Sequence, residues 1–381
     1  MKRIFISIIL VSFLSFIVAC GTVTNNEIYN KSYNVNVDIE TIGDAFVPAV
    51  EIATEATLGV GVYAKVTKFD LYWEEAASGS CVVYEALAHL KNGETVDYSE
   101  TYDSDDVEYY EYKAITNAHV LDVKASSLKY VVYDGYTNRE IEANVLGKDT
   151  TIDLAVLSFT DTVLIVPIKI ANSDNVKKGQ IVLAVGNPNG YEYYSSSTMG
   201  IVSFPKRYVV ENGYDLEYIQ HDAAINPGNS GGSLVNINGE LIGINTAKIV
   251  EDEIDSIGFA IPSNTVLKVL DRLENDQTIK KTKANLQSSN ISTIKNSLIF
   301  EEKTYSDDIY DLENGVYINS VSNNSIFRRT LISGDVIVEL NGKPLNSISE
   351  LNCFLMLLEI GEQFELTVYR NNEYKKMTYT L

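Results

Sequence analysis

From about residue 42 to residue 262 the apolar residues fall in short runs separated by turn residues, with no long helical stretch among them. Residues 59–66 and 80–84 read as strands. Asn238-Gly239, between the apolar stretches 233–237 and 240–244, is a hairpin signal, because the turns that match strand twist need φ > 0. Many short strands must close or stack their sheets to bury a face, which points to a mostly β chain built from barrels. The 25 tyrosines suit pleated, half-buried surfaces. After Pro262, Ser263 or Asn264 can cap a helix, and Val266, Val269, Leu270 and Leu273 follow with helical spacing on one face.

Within the β region, Asn226-Pro227-Gly228-Asn229-Ser230-Gly231-Gly232 surrounds one serine with three glycines, and the apolar Ser233-Leu234-Val235 follows. Small residues let a backbone approach a substrate and adopt φ/ψ values closed to other side chains. A nucleophilic serine needs that setting, with N–H groups aimed at the oxyanion its attack creates. The other reading is a plain Gly-rich turn, and the loop alone does not separate the two. Histidine scarcity narrows the choice. The chain has His89, His119 and His221, and a serine hydrolase with a histidine base must use one of them. His119 ends the strand-like run Ala114-Ile115-Thr116-Asn117-Ala118, and Asp153 leads into Leu154-Ala155-Val156-Leu157. The order His, Asp, Ser is that of the chymotrypsin-like double barrel. In those roles Ser230 attacks, His119 takes and returns the proton, and Asp153 holds the imidazole tautomer. His221 is the rival base, since His221-Asp222 lies closer to Ser230 in sequence; triads assemble across a fold, so that proximity weighs little.

These segments resemble the HtrA (DegP-like) family of serine proteases. The match runs through Tyr218-Ile219-Gln220-His221-Asp222-Ala223-Ala224-Ile225 into the serine loop, then Gly239-Glu240-Leu241-Ile242-Gly243-Ile244-Asn245-Thr246 and Ile257-Gly258-Phe259-Ala260-Ile261-Pro262-Ser263. Upstream it includes Thr116-Asn117-Ala118-His119-Val120, the Asp153 segment, Val185-Gly186-Asn187-Pro188 and Gly200-Ile201-Val202-Ser203. It departs at Ser233, where the family usually has proline, and at His221, usually threonine or serine. The resemblance implies catalytic His119, Asp153 and Ser230, with an oxyanion hole from the N–H groups of Gly228 and Ser230, Asn229 shaping the loop. It implies an apolar primary pocket walled by Ile225, Asn245, Thr246 and Ala247, and no metal or organic cofactor. Unfolded or damaged polypeptides are the implied substrates and a homotrimer the implied assembly. Two other functions use the same residues: a binding scaffold that keeps the fold without turnover, and a processing protease dedicated to one partner.

Residues 294–381 resemble a PDZ domain of the HtrA type, through Gly315-Val316-Tyr317-Ile318-Asn319-Ser320-Val321 and Ile332-Ser333-Gly334-Asp335-Val336-Ile337-Val338-Glu339-Leu340-Asn341-Gly342-Lys343-Pro344-Leu345. Ser347 and Glu350 make a capping box ahead of the stripe Leu351, Phe354, Leu355 and Leu358. Such domains bind C-terminal peptides by strand addition. Alignment puts the binding loop at Ser297, Leu298, Ile299 and Phe300, where the usual Gly-rich form is absent. Residues 276–293 are polar and read as a linker. The expected architecture is thus a double six-stranded β-barrel protease domain (42–275) followed by a small α+β PDZ domain (294–381).

The N-terminus carries Lys2 and Arg3, an apolar run to Val18, and then Ala19-Cys20-Gly21. That is a signal-peptide pattern (1–19), and its end resembles a bacterial lipoprotein site with Cys20 lipidated and residues 20–41 as a membrane tether. An uncleaved anchor is the alternative, though fifteen or so apolar residues fall short of the ~20 a span needs. Either places the body outside the cytoplasm. The net charge of −22 disfavours nucleic acid as a partner. Cys81 and Cys353 lie in different expected domains, with no metal-ligand spacing. Residues 94–111 hold eight acidic and no basic residues; a solvated hairpin insertion and a guarding loop are both open, and ordered Ca²⁺-ligand spacing is absent.

Overall fold

The computed structural model describes residues 46–66, 72–99, 104–188, 190–247, 257–298 and 304–381. The expected signal peptide, Cys20 and the tether lie outside them, as do Ile299 and Phe300 of the expected peptide-binding loop. The described chain opens with helix α1 (Val47–Ala56), which has Pro48 in its first turn, where a missing N–H breaks no helical bond. Ala49, Ala53 and Ala56 form a small-residue face that is wholly buried in the core shared by the barrels.

Strands β1 (Thr57–Val66), β2 (Tyr72–Leu90), β3 (Thr95–Asp97), β4 (Val107–Thr116), β5 (Leu128–Asp134), β6 (Arg139–Asp149) and β7 (Leu154–Asp161) pair in the order β1-β5-β6-β7-β4-β2-β3. An extra β1–β2 pairing closes six of them into a barrel and leaves β3 on the outside of β2. Strands β8 (Ile181–Gly186), β9 (Ser196–Glu211), β10 (Tyr214–His221), β11 (Ser233–Val235), β12 (Leu241–Thr246) and β13 (Gly258–Pro262) close a second barrel in the order β10-β13-β12-β11-β8-β9.

The continuous apolar runs follow from where the strands sit. Successive side chains point to opposite faces. In β7, Ala155 and Leu157 fill the first barrel while Leu154 and Val156 face the core between barrels. In β8, Val182 and Ala184 fill the second barrel while Leu183 and Val185 join that same central core. A strand covered on both faces has no solvent side to alternate with. Helix α2 (Ser263–Glu274) then buries Val266, Val269 and Leu273 in the central core. Its cap position is Pro262, one residue earlier than expected; the Ser263 hydroxyl donates to Ala171 O (2.6 Å) instead of capping.

The C-terminal sheet comprises β14 (Leu286–Asn290), β15 (Val316–Val321), β16 (Val336–Leu340), β17 (Lys343–Pro344), β18 (Gln363–Arg370) and β19 (Glu373–Thr380), in the order β14-β15-β16-β18-β19 with β17 on β16. Helices α3 (Ile291–Ser297), α4 (Asp307–Asp311) and α5 (Ile348–Leu357) accompany it. Ser347 Oγ accepts from Glu350 N–H (3.2 Å), and Glu350 Oε2 accepts from Asn346 N–H (3.0 Å). Leu351, Leu355 and Leu358 pack with Phe327, Phe364 and Tyr379. Fully buried Asp335 accepts from Arg370 Nε and Nη2 (2.6 Å each) and from Ile332 N–H (2.8 Å).

The stretch expected as a linker is packed. Ile279 and Ala284 are buried, Lys281 Nζ pairs with Asp149 Oδ2 (2.8 Å), and β14 belongs to the C-terminal sheet. Its polar Gln287-Ser288-Ser289 fits an edge strand, which needs no apolar alternation on its exposed side. Helix α5 lies against the second barrel: Cys353 and Met356 meet Leu216, Tyr218 and Ile261. Arg272 Nη2 donates to Leu357 O (2.7 Å), Lys268 pairs with Glu362 (2.7 Å), and Asn352 Nδ2 donates to Asp215 Oδ2 (3.0 Å).

Candidate active site

Strand β4 ends at Thr116, and a short 3-10 turn, Ala118–Leu121, carries His119 at the seam between barrels. Asp153 sits just before β7 with φ 64°, a left-handed conformation uncommon for non-glycine residues. Two bonds hold it there: Asp153 N–H donates to Asp149 O (2.8 Å), and Asn117 Nδ2 donates to Asp153 O (2.9 Å). The carboxylate, 1% exposed, accepts from His119 N–H (2.9 Å), from His119 Nδ1 (2.8 Å to Oδ2) and from Thr246 Oγ1 (3.3 Å). An ionised carboxylate only accepts, so the proton lies on Nδ1 and the Nε2 lone pair is free.

Ser230 lies in the loop before β11. Asn226-Pro227-Gly228-Asn229 is a turn closed by Asn229 N–H to Asn226 O (3.0 Å), with φ +103° at Gly228. Proline then a positive-φ residue at the central positions is the type II signature. Gly231, at φ +84°, has no room for a Cβ, which would stand 2.1 Å from Ser80 O. The N–H groups of Gly228 and Ser230 meet no acceptor among the described residues, whereas those of Asn229, Gly231 and Gly232 are bonded to Asn226 O, Asn245 O and Asn229 O. Ser230 Oγ accepts from Ala247 N–H (3.1 Å), and no hydrogen bond joins it to His119 among the described residues.

His221 is elsewhere. Its ring is fully buried in the second barrel over Gly258, where a Cβ would come within 2.4 Å of Cε1, and beside Asn245. Burial pushes its pKa down to about 4, and neither ring nitrogen makes a hydrogen bond of ordinary geometry. Asp153 therefore meets His119 and not the rival base. Ser233 Oγ pairs with Thr57 Oγ1 (2.9 Å), so the hydroxyl in place of the family's usual proline is satisfied.

The four expected pocket walls do not share one role. Ile225 packs on the second-barrel core, Asn245 is tied to the serine loop through Gly231 and Gly232 and to Ser233 O, and Ala247 N–H reaches Ser230 Oγ. Thr246 turns its hydroxyl to Asp153 because it lies one residue out of phase with Asn245 on β12. Of the expected peptide-binding loop, Ser297 closes helix α3 and Leu298 caps it. Ser80, Thr116 and Asn187 meet beneath the serine loop; Thr116 and Asn187 lie in segments that match the family, whereas Ser80 carries no assigned role in the sequence. The signal for Ser80 was the small-residue interruption Ala76-Ala77-Ser78-Gly79-Ser80 in a strand otherwise rich in large residues.

Two closed barrels with a His–Asp pair at their seam, followed by a six-stranded antiparallel sheet with its own helices, define a trypsin-like peptidase domain joined to a PDZ domain. The trypsin-like peptidase domain family matches residues 103–244, and the PDZ domain family matches residues 300–381. The chain's homologues are HtrA and DegP serine proteases. Serine protease Do-like HtrA of Lactobacillus helveticus is 34% identical over 271 residues, covering 67% of this chain and 63% of that protein. Its namesake in Bacillus subtilis (strain 168) is 38% identical over 208 residues, covering 54% of this chain and 45% of that protein. The chain thus spans about half to three-fifths of the length of these relatives. Among solved structures, the HtrA-type protease AlgW with a tripeptide superposes with a TM-score of 0.58 at 26% identity, covering 88% of this chain and 96% of that one. No helix of the described residues is long and apolar enough to cross a membrane.

Proposed function

We propose that this chain is a serine endopeptidase of unfolded or damaged polypeptides, acting through His119, Asp153 and Ser230. The observation that carries the reading is the buried Asp153 carboxylate gripping both the N–H and the Nδ1 of His119. Ser230 Oγ attacks the scissile carbonyl while His119 Nε2 takes its proton. Asp153 steadies the imidazolium, and the free N–H groups of Gly228 and Ser230 donate to the oxyanion. His119 then protonates the leaving amine, and water, deprotonated by the same nitrogen, hydrolyses the acyl-enzyme. Substrate binding turns the Ser230 hydroxyl from Ala247 towards His119, since catalytic hydrogen bonds tighten in the Michaelis complex. Ile225, Asn245 and Ala247 wall an apolar primary pocket that prefers small aliphatic side chains. No metal or organic cofactor enters these steps.

The same reading makes the PDZ domain a binder of substrate or regulatory peptide tails and places the protein outside the cytoplasm, anchored through a lipid on Cys20. It takes no nucleic acid as partner, and the assembly is a homotrimer, which light scattering tests. Casein cleavage by wild type and Ser230→Ala, with product ends mapped by mass spectrometry, tests the activity and the pocket together. A wild type that cleaves no unfolded protein and takes no fluorophosphonate label points instead to a binding scaffold with this fold. One that cleaves a single partner but not casein points to a dedicated processing protease.

A further inference from the structure

We infer that His221 is a specificity-determining residue: its imidazole plugs the inner end of the primary pocket proposed above, so that only the shortest side chains fit before the cut. The inference rests on the proteolytic reading and names the class of residue its pocket takes. It starts from a row of strand ends at the mouth of the second barrel. The last rung between β12 and β13 sets Thr246 opposite Phe259, so Ala247 and Gly258 are the next residues outward. On the other side of β13, Gly258 stands opposite His221, the last residue of β10. Strands lie about 4.8 Å apart, so the row Ala247, Gly258, His221 spans roughly 10 Å. At one end Ser230 Oγ accepts from Ala247 N–H (3.1 Å). At the other lies the imidazole, and the residue between them has no side chain.

The ring occupies the gap that the glycine leaves. Alternation along β13 turns Phe259 against Tyr218 and the central core, and turns Gly258 with Ala260 towards the barrel interior. A Cβ on Gly258 would stand 2.4 Å from His221 Cε1, 2.8 Å from Nδ1 and 3.0 Å from Nε2. Those are its three nearest atoms, so the ring lies on the interior side of Gly258. Asn245, opposite Ala260, shares that side and lies beside the ring, and alternation puts Ala247 there too. Ile225 packs on the same barrel core. His221 is 0% exposed, so no water-sized space remains over Gly258. The threonine or serine usual in the family ends one atom beyond Cβ and cannot fill that space. Hydrogen bonding does not account for the imidazole either. Its two nitrogens and Asn245 Oδ1 are buried without partners of ordinary geometry among the described residues, where buried polar groups are normally bonded. What the ring supplies is volume.

The test uses two peptides alike except for alanine or leucine before the cut, with full-length wild type, His221→Thr and His221→Phe. One methylene in an apolar pocket is worth about 10–200-fold in kcat/KM. Wild type is therefore expected to favour alanine over leucine by at least about tenfold, and His221→Thr to shift that ratio at least about tenfold towards leucine. His221→Phe, which keeps a ring and loses both nitrogens, holds the wild-type ratio within about threefold. A ratio is read because a merely structural role would slow both peptides alike. His221→Ser repeats the first comparison if His221→Thr folds poorly. A second measurement needs no activity: Gly258→Ala should lower Tm by at least about 3 °C in wild type, where the new methyl meets the ring, and by little in His221→Thr. An unshifted ratio in His221→Thr overturns the inference, and so does a His221→Phe protein that accepts leucine as His221→Thr does. An equal Tm loss from Gly258→Ala in both backgrounds also overturns it, because the ring then does not fill that space. A wild type that cleaves neither peptide and no casein overturns the proteolytic reading and the pocket with it, whatever the melts show.

Discussion

At the scale of single residues, the two histidines that compete as base for Ser230 have opposite fates. His119 keeps one nitrogen against Asp153 and one free. Replacing Ser230 or His119 with alanine, or Asp153 with asparagine, is expected to cut kcat by about 10⁴-fold or more with little change in fold, since the roles are interdependent. His221→Thr is expected to keep most activity; inactivity of that variant in a casein assay, with His119→Ala still active, reverses the assignment. His221 instead affects stability. Its folded pKa lies near 4 against 6.5 for the free side chain, so the unfolded chain binds the proton first. The stability it contributes is present above about pH 6.5 and is lost as pH falls towards 4, by about 3 kcal/mol at most. Thermal melts at pH 7.5 and 4.5 should show a smaller acid-side drop for His221→Thr than for wild type. A family resemblance could flag His221 as unusual. It could not reveal that the ring fills the space over Gly258, because that contact spans two strands 37 residues apart in sequence.

At the scale of elements, patterning carried the barrels and misplaced several ends. Apolar runs such as Leu154-Ala155-Val156-Leu157 were legible as strands because both faces are buried. The polar strand β14 was not, since an edge strand facing water has the composition of a linker. The Asn238-Gly239 hairpin formed with a different turn: only Gly239 takes φ > 0, and Asn236 accepts from Gly239 N–H at its carbonyl and from Asn238 N–H at its side chain. A side-chain acceptor two residues upstream redirects a turn that the dipeptide alone suggests. In the C-terminal sheet, Asp335 and Arg370 tie the loop before β16 to the end of β18. Removing one partner of a buried pair leaves the other uncompensated, so Arg370→Leu is expected to destabilise the PDZ domain by about 3–5 kcal/mol. Urea unfolding followed by a PDZ-specific probe checks this, with fluorophosphonate labelling of Ser230 surviving at urea concentrations that unfold the sheet.

At the scale of the whole molecule, the catalytic candidates were readable because each sits in a short motif, whereas the joint between domains was not, because it is built from scattered side chains. Lys268, Arg272, Asn352 and Cys353 carry no local pattern that announces an interface. Lys281, in the segment that joins α2 to the C-terminal sheet, is more consequential than any of these. Asp149 accepts from Lys281 with one oxygen and from Thr151 and Ile152 N–H (2.9 Å each) with the other, while its carbonyl takes Asp153 N–H. Lys281→Ala is expected to cost about 1 kcal/mol and to lower kcat a few-fold, more than Lys268→Ala does, as measured by melts and casein turnover. The segment after α2 is thus a strut braced against the turn that seats the candidate catalytic aspartate. It follows that the chain is not two portable modules. Ending it at residue 275 removes a brace from the chemistry as well as a peptide binder, and a PDZ domain borrowed from a relative brings its own brace or none.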